Sequence, residues 1–216
     1  MTTPAASPYA LASLTEVRLF LGYQSDDTAR DNTVQRAINA ASIAVLRRSQ
    51  RKFVVPEADQ TVDKPRWVRI RPTDVELGYI RVDDMYDSPA EVAFLEPNRN
   101  GPADPQVLNN DGTDYWLLPD FPEPGMPFEY IYFPTDASSI FTAGNWLRVK
   151  SEHWGFAEIP EDMVECVVAC AAAFVLNDPN KQSELAAQAG RRVKIDSIIL
   201  PEWEDTVDEY RIFRVA

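Results

Sequence analysis

The feature that most constrains the fold is an apolar segment over residues 163–176, in which Glu165 is the only charged residue. Pro160 suits the first turn of a helix, and Asp178 followed by Pro179 ends the segment. A helix that is apolar on almost every side must be covered on almost every side. It is too short to span a membrane, which takes about 20 apolar residues. The sequence therefore predicts a helix at the centre of a bundle or shared with a neighbouring subunit.

Two helices are predicted in the N-terminal part. Ser13 and Glu16 have the spacing of a capping box, and Gly22 ends this short helix. A second helix is predicted over residues 32–50, with apolar and alanine residues along one face. Basic residues accompany it without any acid: Arg36, Arg47, Arg48, Arg51 and Lys52. These charges either stabilise the helix C-terminus or face an acidic partner surface.

The middle of the chain has a different pattern. Residues 54–150 contain 12 of the 17 prolines, which disfavours long helices. Apolar and polar residues alternate in six short runs, at residues 67–71, 79–82, 91–95, 115–118, 128–133 and 146–150. The alternation predicts short antiparallel strands that form a small sandwich or barrel.

The predicted fold class is therefore α+β, a small helical bundle of N- and C-terminal helices with an inserted antiparallel β domain. The expected parts are an N-terminal helical part (1–53), the inserted β-rich domain (54–152), the central apolar helix with a following short helix (153–190) and a C-terminal docking tail (191–216). The short helix is expected over residues 181–189. The tail carries Trp203, Tyr210, Ile212 and Phe213, which should dock on the chain's own domain or on a partner.

Groups for acid–base, nucleophilic or metal chemistry are sparse. His153 is the only histidine and has no partner motif, so we expect a structural role. Cys166 and Cys170 lie one helical turn apart, but no second Cys or His pair completes a set of four ligands. We expect both to be buried thiols. Residues 109–114 are expected to form a hairpin turn rather than a calcium loop. We predict no enzyme activity, no cofactor and no metal.

The net charge is −13. Wrapping a nucleic acid requires a surplus of Lys and Arg, so this balance argues against it. An acidic wall is compatible with standing near DNA, because it repels phosphate and lets a duplex slide past. The N-terminal residues lack the basic region and apolar core of a signal peptide, so we expect a soluble protein made in the cytoplasm.

Four short stretches, taken in their order, resemble the head-to-tail connector (adaptor) proteins of tailed bacteriophages. Residues 9–22 resemble the opening helix of that family, and residues 37–53 resemble its alanine-rich helix ending in Arg-x-Phe. Leu118-Pro119 resembles its Leu-Pro within the strand region. Residues 149–163 resemble its Trp-Gly, then Val/Ile-Pro, then helix pattern.

The resemblance implies a structural virion protein of the neck, assembled in the host bacterial cytoplasm as a ring, usually of twelve copies, beneath the portal. Such a ring extends the DNA channel, links the capsid to the tail and presents a surface to the next neck or tail protein. DNA passes through without specific binding, and no membrane is involved. The family's C-terminal segment commonly reaches into the portal, and the residues expected to dock there are Ile198, Ile199, Leu200, Trp203, Tyr210 and Phe213.

A ring also suits the apolar helix, because each copy would pack on its own bundle and on a neighbour. Cyclic assembly uses two different faces of each subunit, and small residues allow close contact. Trp154 is expected to pack under the central helix. The residues expected in bundle or ring packing are Trp154, Pro160, Ala169 and Ala173.

Two other classes of function stay open. One is a different neck or tail component, such as a stopper or tail-completion protein, which would share the β content and the acidity. The other is a β-sandwich binding module, for example one for glycans, which requires exposed aromatic residues on one face of the insert. Trp116, Tyr130 and Tyr132 could serve, although the alternation favours core positions for some of them.

Overall fold

The computed structural model describes residues 5–24, 28–61, 63–95, 105–109, 114–119, 126–134, 141–176 and 199–211. The chain divides into two compact units: a helical unit, up to Val54 and from Ile159 onward, and a β unit from Val55 to Glu158. Helices occupy both ends of the chain and antiparallel sheets lie between them in sequence. The predicted α+β class, with an inserted antiparallel β region, is confirmed.

The helical unit contains α1 (Leu14–Phe20), α2 (Asp31–Ser49), α4 (Glu161–Leu176) and α5 (Pro201–Glu209). A further short helix, α3 (Pro72–Leu77), belongs to the β unit. The helix expected over residues 181–189 lies outside the described residues.

Local signals set the ends of α1 and α2. The Ser13 hydroxyl accepts a hydrogen bond from the Glu16 N–H at 3.2 Å, and the Glu16 carboxylate accepts one from the Ser13 N–H at 2.6 Å, which confirms the capping box. Helix α2 ends at Ser49 because Gln50 adopts a left-handed conformation with φ of 59°. In the second half of α2, the Ser42 hydroxyl accepts a hydrogen bond from the Leu11 N–H at 3.0 Å, which holds the segment before α1 against α2.

Helix α4 is the central helix of this unit. It contacts α1, α2 and α5, and six of its side chains are at most 1% exposed: Met163, Cys166, Val167, Cys170, Ala171 and Ala172. Its apolar circumference is therefore covered largely within one chain, as a bundle requires. Of the two predicted placements, the one at the centre of a bundle is confirmed, and sharing with a neighbouring subunit stays a prediction.

The described residues of the β unit form seven strands: β1 (Arg66–Arg69), β2 (Tyr79–Met85), β3 (Glu91–Leu95), β4 (Gln106–Val107), β5 (Trp116–Leu118), β6 (Phe128–Tyr132) and β7 (Trp146–Lys150). They form two antiparallel sheets. Sheet 1 has the order β1-β7-β3-β4, and sheet 2 has the order β2-β6-β5. Alternate side chains from both sheets meet in one apolar core, which includes Val92, Leu147 and Val149 from sheet 1 and Ile80 and Ile131 from sheet 2.

Three short elements of this unit were not predicted. A 3₁₀ turn spans Glu57–Asp59, strand β4 has two residues, and helix α3 spans Pro72–Leu77. Helix α3 has recognisable signals in hindsight: Pro72 opens it, the Asp74 carboxylate accepts the Arg71 N–H at 2.8 Å, and Gly78 ends it with φ of 74°. A helix of six residues lies below the length that periodicity detects.

Candidate assembly surfaces

Helix α5 is held on the helical unit by a bidentate ion pair. Arg48 of α2 donates from Nε and from a terminal nitrogen to the two carboxylate oxygens of Asp208, both at 2.8 Å, and lies 3.1 Å from the Glu204 carboxylate. The hydrogen bond from Arg48 lowers the pKa of Asp208, an effect that outweighs the cost of burial. One member of the basic cluster, Arg48, therefore meets acidic side chains, and these belong to the same chain.

The residues around Tyr210 extend this contact. The Arg51 guanidinium donates to the Tyr210 carbonyl at 2.9 Å, and the Phe53 and Tyr210 rings pack edge to face with centroids 5.5 Å apart. The Tyr210 hydroxyl donates to the Asp162 carboxylate of α4 at 3.2 Å. Burial, and then the negative charge of Asp162, raise the pKa of Tyr210 to about 12. Tyr210 thus connects the segment that follows α2 with α4 and the end of α5.

The residues expected to dock on a portal have different surroundings. Ile199 is buried within its own chain, and Tyr210 is half-buried in the contacts just described. Leu200 and Trp203 are half-buried, and the Leu200 N–H donates to the Cys170 thiol at 3.4 Å. Ile198 and Phe213 lie outside the described residues. The docking role itself stays a prediction.

One stripe of α4 is less buried than the rest. Glu165 is exposed, and Ala169 and Ala173 follow it at intervals of four residues with half-buried side chains. Leu176, at the end of α4, is 68% exposed, and on α1 Leu19 and Phe20 are 79% and 63% exposed. Ala169 and Ala173 therefore lie on a face that a neighbouring molecule could reach.

Pro160 opens α4 and is half-buried. Its carbonyl accepts from the N–H groups of Met163 and Val164 at 3.0 and 3.1 Å, which begins the hydrogen-bond ladder of the helix.

Trp154 lies in the core of the β unit, where it is 1% exposed. Its backbone pairs with Met85 at the end of β2, and the Gln60 amide bonds to its N–H at 2.6 Å and its carbonyl at 2.8 Å. The Arg66 guanidinium lies over its ring, 5.2 Å from the centroid. We expected Trp154 under the central helix; the structure instead makes it a core residue of the β unit, fixed by long-range backbone pairing.

The outer face of sheet 2 is aromatic. Tyr79 pairs with Tyr132 and Trp116 pairs with Tyr132 across the strands, while Tyr130 lies two residues along β6 from Tyr132 and so on the same face. Trp116 is 47% exposed and the three tyrosines are half-buried, whereas the intervening Leu117 and Ile131 point into the core. The expectation that alternation places some of Trp116, Tyr130 and Tyr132 in the core is therefore corrected, because the buried set of each strand is the aliphatic one.

The candidate chemical groups do not form a catalytic arrangement among the described residues. His153 Nδ1 lies 2.5 Å from the Asp87 carboxylate, and both side chains are more than half exposed. The Ser151 hydroxyl bonds to the backbone carbonyl and N–H of His153, and not to its ring. A hydrogen bond with Cys170, together with burial, raises the pKa of Cys166, so this buried thiol stays protonated.

Metal-binding groups and membrane-spanning helices are both absent from the described parts of the chain. No group of three or more His, Cys, Asp or Glu side chains there could hold a metal ion. None of the described helices has the length and apolarity needed to cross a membrane.

Comparison with known proteins gives one structural likeness. No protein-family model matches the chain. No curated protein matches it either. A solved structure described as "Neck of empty GTA particle computed with C6 symmetry" is similar over 100% of this chain and 96% of that chain, at 12% sequence identity and a TM-score of 0.46.

Proposed function

We propose that the chain is a structural protein of the neck of a phage-type particle, a head-to-tail adaptor that forms a ring under the portal, extends the DNA channel and links the capsid to the tail. The observation that carries this proposal is the outer surface of the helical unit. The unit buries its central helix within one chain, yet leaves Leu19, Phe20 and Leu176 between 63% and 79% exposed. Large apolar side chains held at the surface are typical of a subunit that another molecule covers.

The other features agree with this role. The sequence resembles head-to-tail adaptors in the order of its short stretches, and α4 begins at Glu161, directly after the Pro160 of one of them. The charge of −13 suits a channel wall, because it repels the phosphates of passing DNA. Both groups of the His153–Asp87 pair are more than half exposed, and the nearby Ser151 hydroxyl bonds to the His153 backbone rather than to its ring, which fits a structural protein rather than an enzyme.

Portal docking is proposed for the C-terminal segment around α5. Of the six residues expected to dock, Leu200 and Trp203 have partly exposed side chains, whereas the Ile199 side chain is buried in the helical unit of its own chain. Deleting residues 198–216 would remove buried Ile199 and Val207 from the helical unit, so the truncated chain should lose stability as well as binding. Point substitutions at the exposed residues are therefore the cleaner test.

The test is co-sedimentation of the full chain with portal rings from the same particle. We expect the wild-type chain to pellet with portal and Trp203→Ala to pellet less. Trp116→Ala, which removes an equally large side chain from the β unit, is the matched control and should pellet as wild type. Circular dichroism confirms that each variant is folded. Wild-type chain that stays in the supernatant at saturating portal would contradict the proposal.

The outer face of sheet 2 supports a second candidate, a β binding module for glycans. Four aromatic side chains on one face, Tyr79, Trp116, Tyr130 and Tyr132, offer flat apolar rings with polar hydroxyls, and Trp116 and Tyr132 lie 5.8 Å apart. A glycan panel tests this directly. Binding that Trp116→Ala removes and Trp67→Ala leaves intact would favour the module, and absence of binding across the panel would remove it.

A further inference from the structure

The outer face of sheet 1 combines tryptophan with positive charge. The strand register places its side chains in three rows. The first row is Glu91 and Lys150, the second is Val107, Ala93, Arg148 and Trp67, and the third is Leu95, Trp146 and Arg69. Two tryptophans and two arginines therefore occupy adjoining positions on β1 and β7. We refer to Trp67, Arg69, Trp146 and Arg148 as the Trp–Arg face.

The side chains of the Trp–Arg face are at least partly exposed, and Arg148 is held in place by contacts with Trp67 and Glu91. Trp67 and Trp146 are 45% and 37% exposed, and the Arg148 guanidinium lies over the Trp67 ring at 5.9 Å from its centroid. Glu91 forms ion pairs with Arg148 and Lys150, which holds the cations in place. Arg69 is exposed and forms no ion pair with any described residue. Trp and Arg are the residue types that most often carry binding energy at protein interfaces.

The charge of this face is opposite to that of the chain. Arg69, Arg148 and Lys150 outweigh Glu91, whereas the chain carries 34 acidic and 21 basic residues. A cationic apolar face selects a partner with an acidic surface.

The chain itself provides such a surface on α5. Glu202, Asp205 and Glu209 are exposed and spaced at intervals of three and four residues, so they line one side of the helix. None of them forms an ion pair with a described residue. Their neighbours Glu204 and Asp208 face the other way, toward Arg48. The stripe spans about 10 Å along the helix, and the cations from Arg69 to Lys150 span about 13 Å along the strands.

We propose that the Trp–Arg face of one copy binds the acidic stripe of α5 on a second copy. Because these are two different surfaces, each copy can bind one neighbour on either side, which is the arrangement that closes into rings. The inference rests on the proposed function in that it names the surfaces by which the copies meet in the ring.

The local attraction must overcome the repulsion between two acidic chains. Charges separated by more than about 8–10 Å are largely screened at physiological salt, whereas pairs in contact and partly shielded by tryptophan are screened much less. The contact is therefore specified by nearby charges, and reversing one of them should matter more than changing the net charge elsewhere.

A charge swap tests this pairing by sedimentation velocity of the full chain in about 0.15 M salt, an ionic strength chosen to screen the distant charges. Arg69→Glu and Asp205→Lys should each weaken self-association about tenfold or more, since like charges in contact are repulsive. The double variant Arg69→Glu with Asp205→Lys should recover most of the lost affinity. An equal mixture of the two single variants should also associate, because alternating copies bring opposite charges together at every contact.

Matched controls change the same charge elsewhere. Arg36→Glu on exposed α2 surface and Glu76→Lys on exposed α3 surface alter the net charge equally and should leave association unchanged. Trp67→Ala should weaken it without any change of charge.

The proposal is overturned if Arg69→Glu behaves as Arg36→Glu does or if the double variant stays as weak as the single ones. It is also overturned if the wild-type chain remains a monomer at about 1 mM, a concentration at which even a contact with a Kd of about 1 mM would be populated. Portal co-sedimentation of the same proteins separates the two proposals. If the chain binds portal but does not self-associate through this face, the adaptor function stands and the proposed interface is wrong. If the charge swap restores self-association but the chain does not bind portal, the interface stands and the adaptor function is wrong.

Discussion

Removing the charge of Arg48 should release α5 from the helical unit. Arg48→Met keeps the aliphatic stem but deletes both 2.8 Å hydrogen bonds to Asp208 and the approach to Glu204. The Arg48 side chain is 20% exposed and that of Asp208 is 34% exposed, so the pair is neither buried nor fully in water.

The magnitude follows from that intermediate exposure. Hydrogen bonds to charged groups contribute about 1.5–3 kcal/mol when well shielded, and exposed ion pairs contribute about 0.2–1 kcal/mol. We expect Arg48→Met to cost about 1–2 kcal/mol, which corresponds to an opening equilibrium about 5–30 times larger. The cost should fall on α5, because the contact joins α5 to α2.

Hydrogen exchange read by mass spectrometry measures this locally. The amides of α5 should exchange about 5–30 times faster in Arg48→Met, while those of the β-unit strands stay unchanged. Arg47→Met is the matched control, because Arg47 lies one residue away on the same helix, is exposed and has no ion pair with a described residue. If the α5 amides exchange at the same rate in Arg48→Met and Arg47→Met, the reasoning is refuted, because the contact of Arg48 with Asp208 would then contribute nothing to the stability of α5.

Three further predictions concern individual contacts. Ser13→Ala should lower the stability of α1 by about 1 kcal/mol through loss of the capping box, with Thr15→Ala as control, measured by exchange of the α1 amides; equal effects would remove the capping contribution. Trp154→Ala should destabilise the β unit by about 3–5 kcal/mol in thermal or urea unfolding, against a much smaller loss for exposed Trp116→Ala; a folded Trp154→Ala of wild-type stability would contradict its core placement. Burial would raise the pKa of Glu91, but hydrogen bonds from Lys150 and Arg148 hold the pKa below its ordinary 4.5. The ionised Glu91 therefore contributes its full share to the stability of the fold above about pH 4.5, and this stability is lost as the pH falls through the lower pKa of the folded state. Glu91→Gln should therefore be less stable than wild type at pH 7 and approach wild type in acid; a stability difference independent of pH would exclude this origin.

Contacts close in sequence were predictable from it. The capping box of Ser13 and Glu16 joins residues three apart, so its geometry is a property of the local sequence. The central position of α4 followed from its composition, because an apolar helix has few alternatives to being covered. The strands at Glu91–Leu95 and Trp146–Lys150 matched the predicted runs because alternation is itself a local signal.

Contacts between distant residues were not predictable. The pair of Arg48 and Asp208 joins residues 160 apart, and the basic cluster alone could not indicate where its acidic partner lay. Trp154 was assigned to the central helix because it comes shortly before it in sequence, whereas pairing with Met85 and Gln60 places it in the β core. Alternation defined the two faces of β6 but did not tell which faces outward, and the buried face proved to be that of Ile131.

The most direct test of the central claim is electron cryomicroscopy of portal rings mixed with the full chain. The account predicts a second ring beneath the portal, coaxial with it and continuing its channel, in which neighbouring molecules cover the exposed Leu19, Phe20 and Leu176 side chains. Portal rings without added density, beside a chain that remains monomeric, would contradict it.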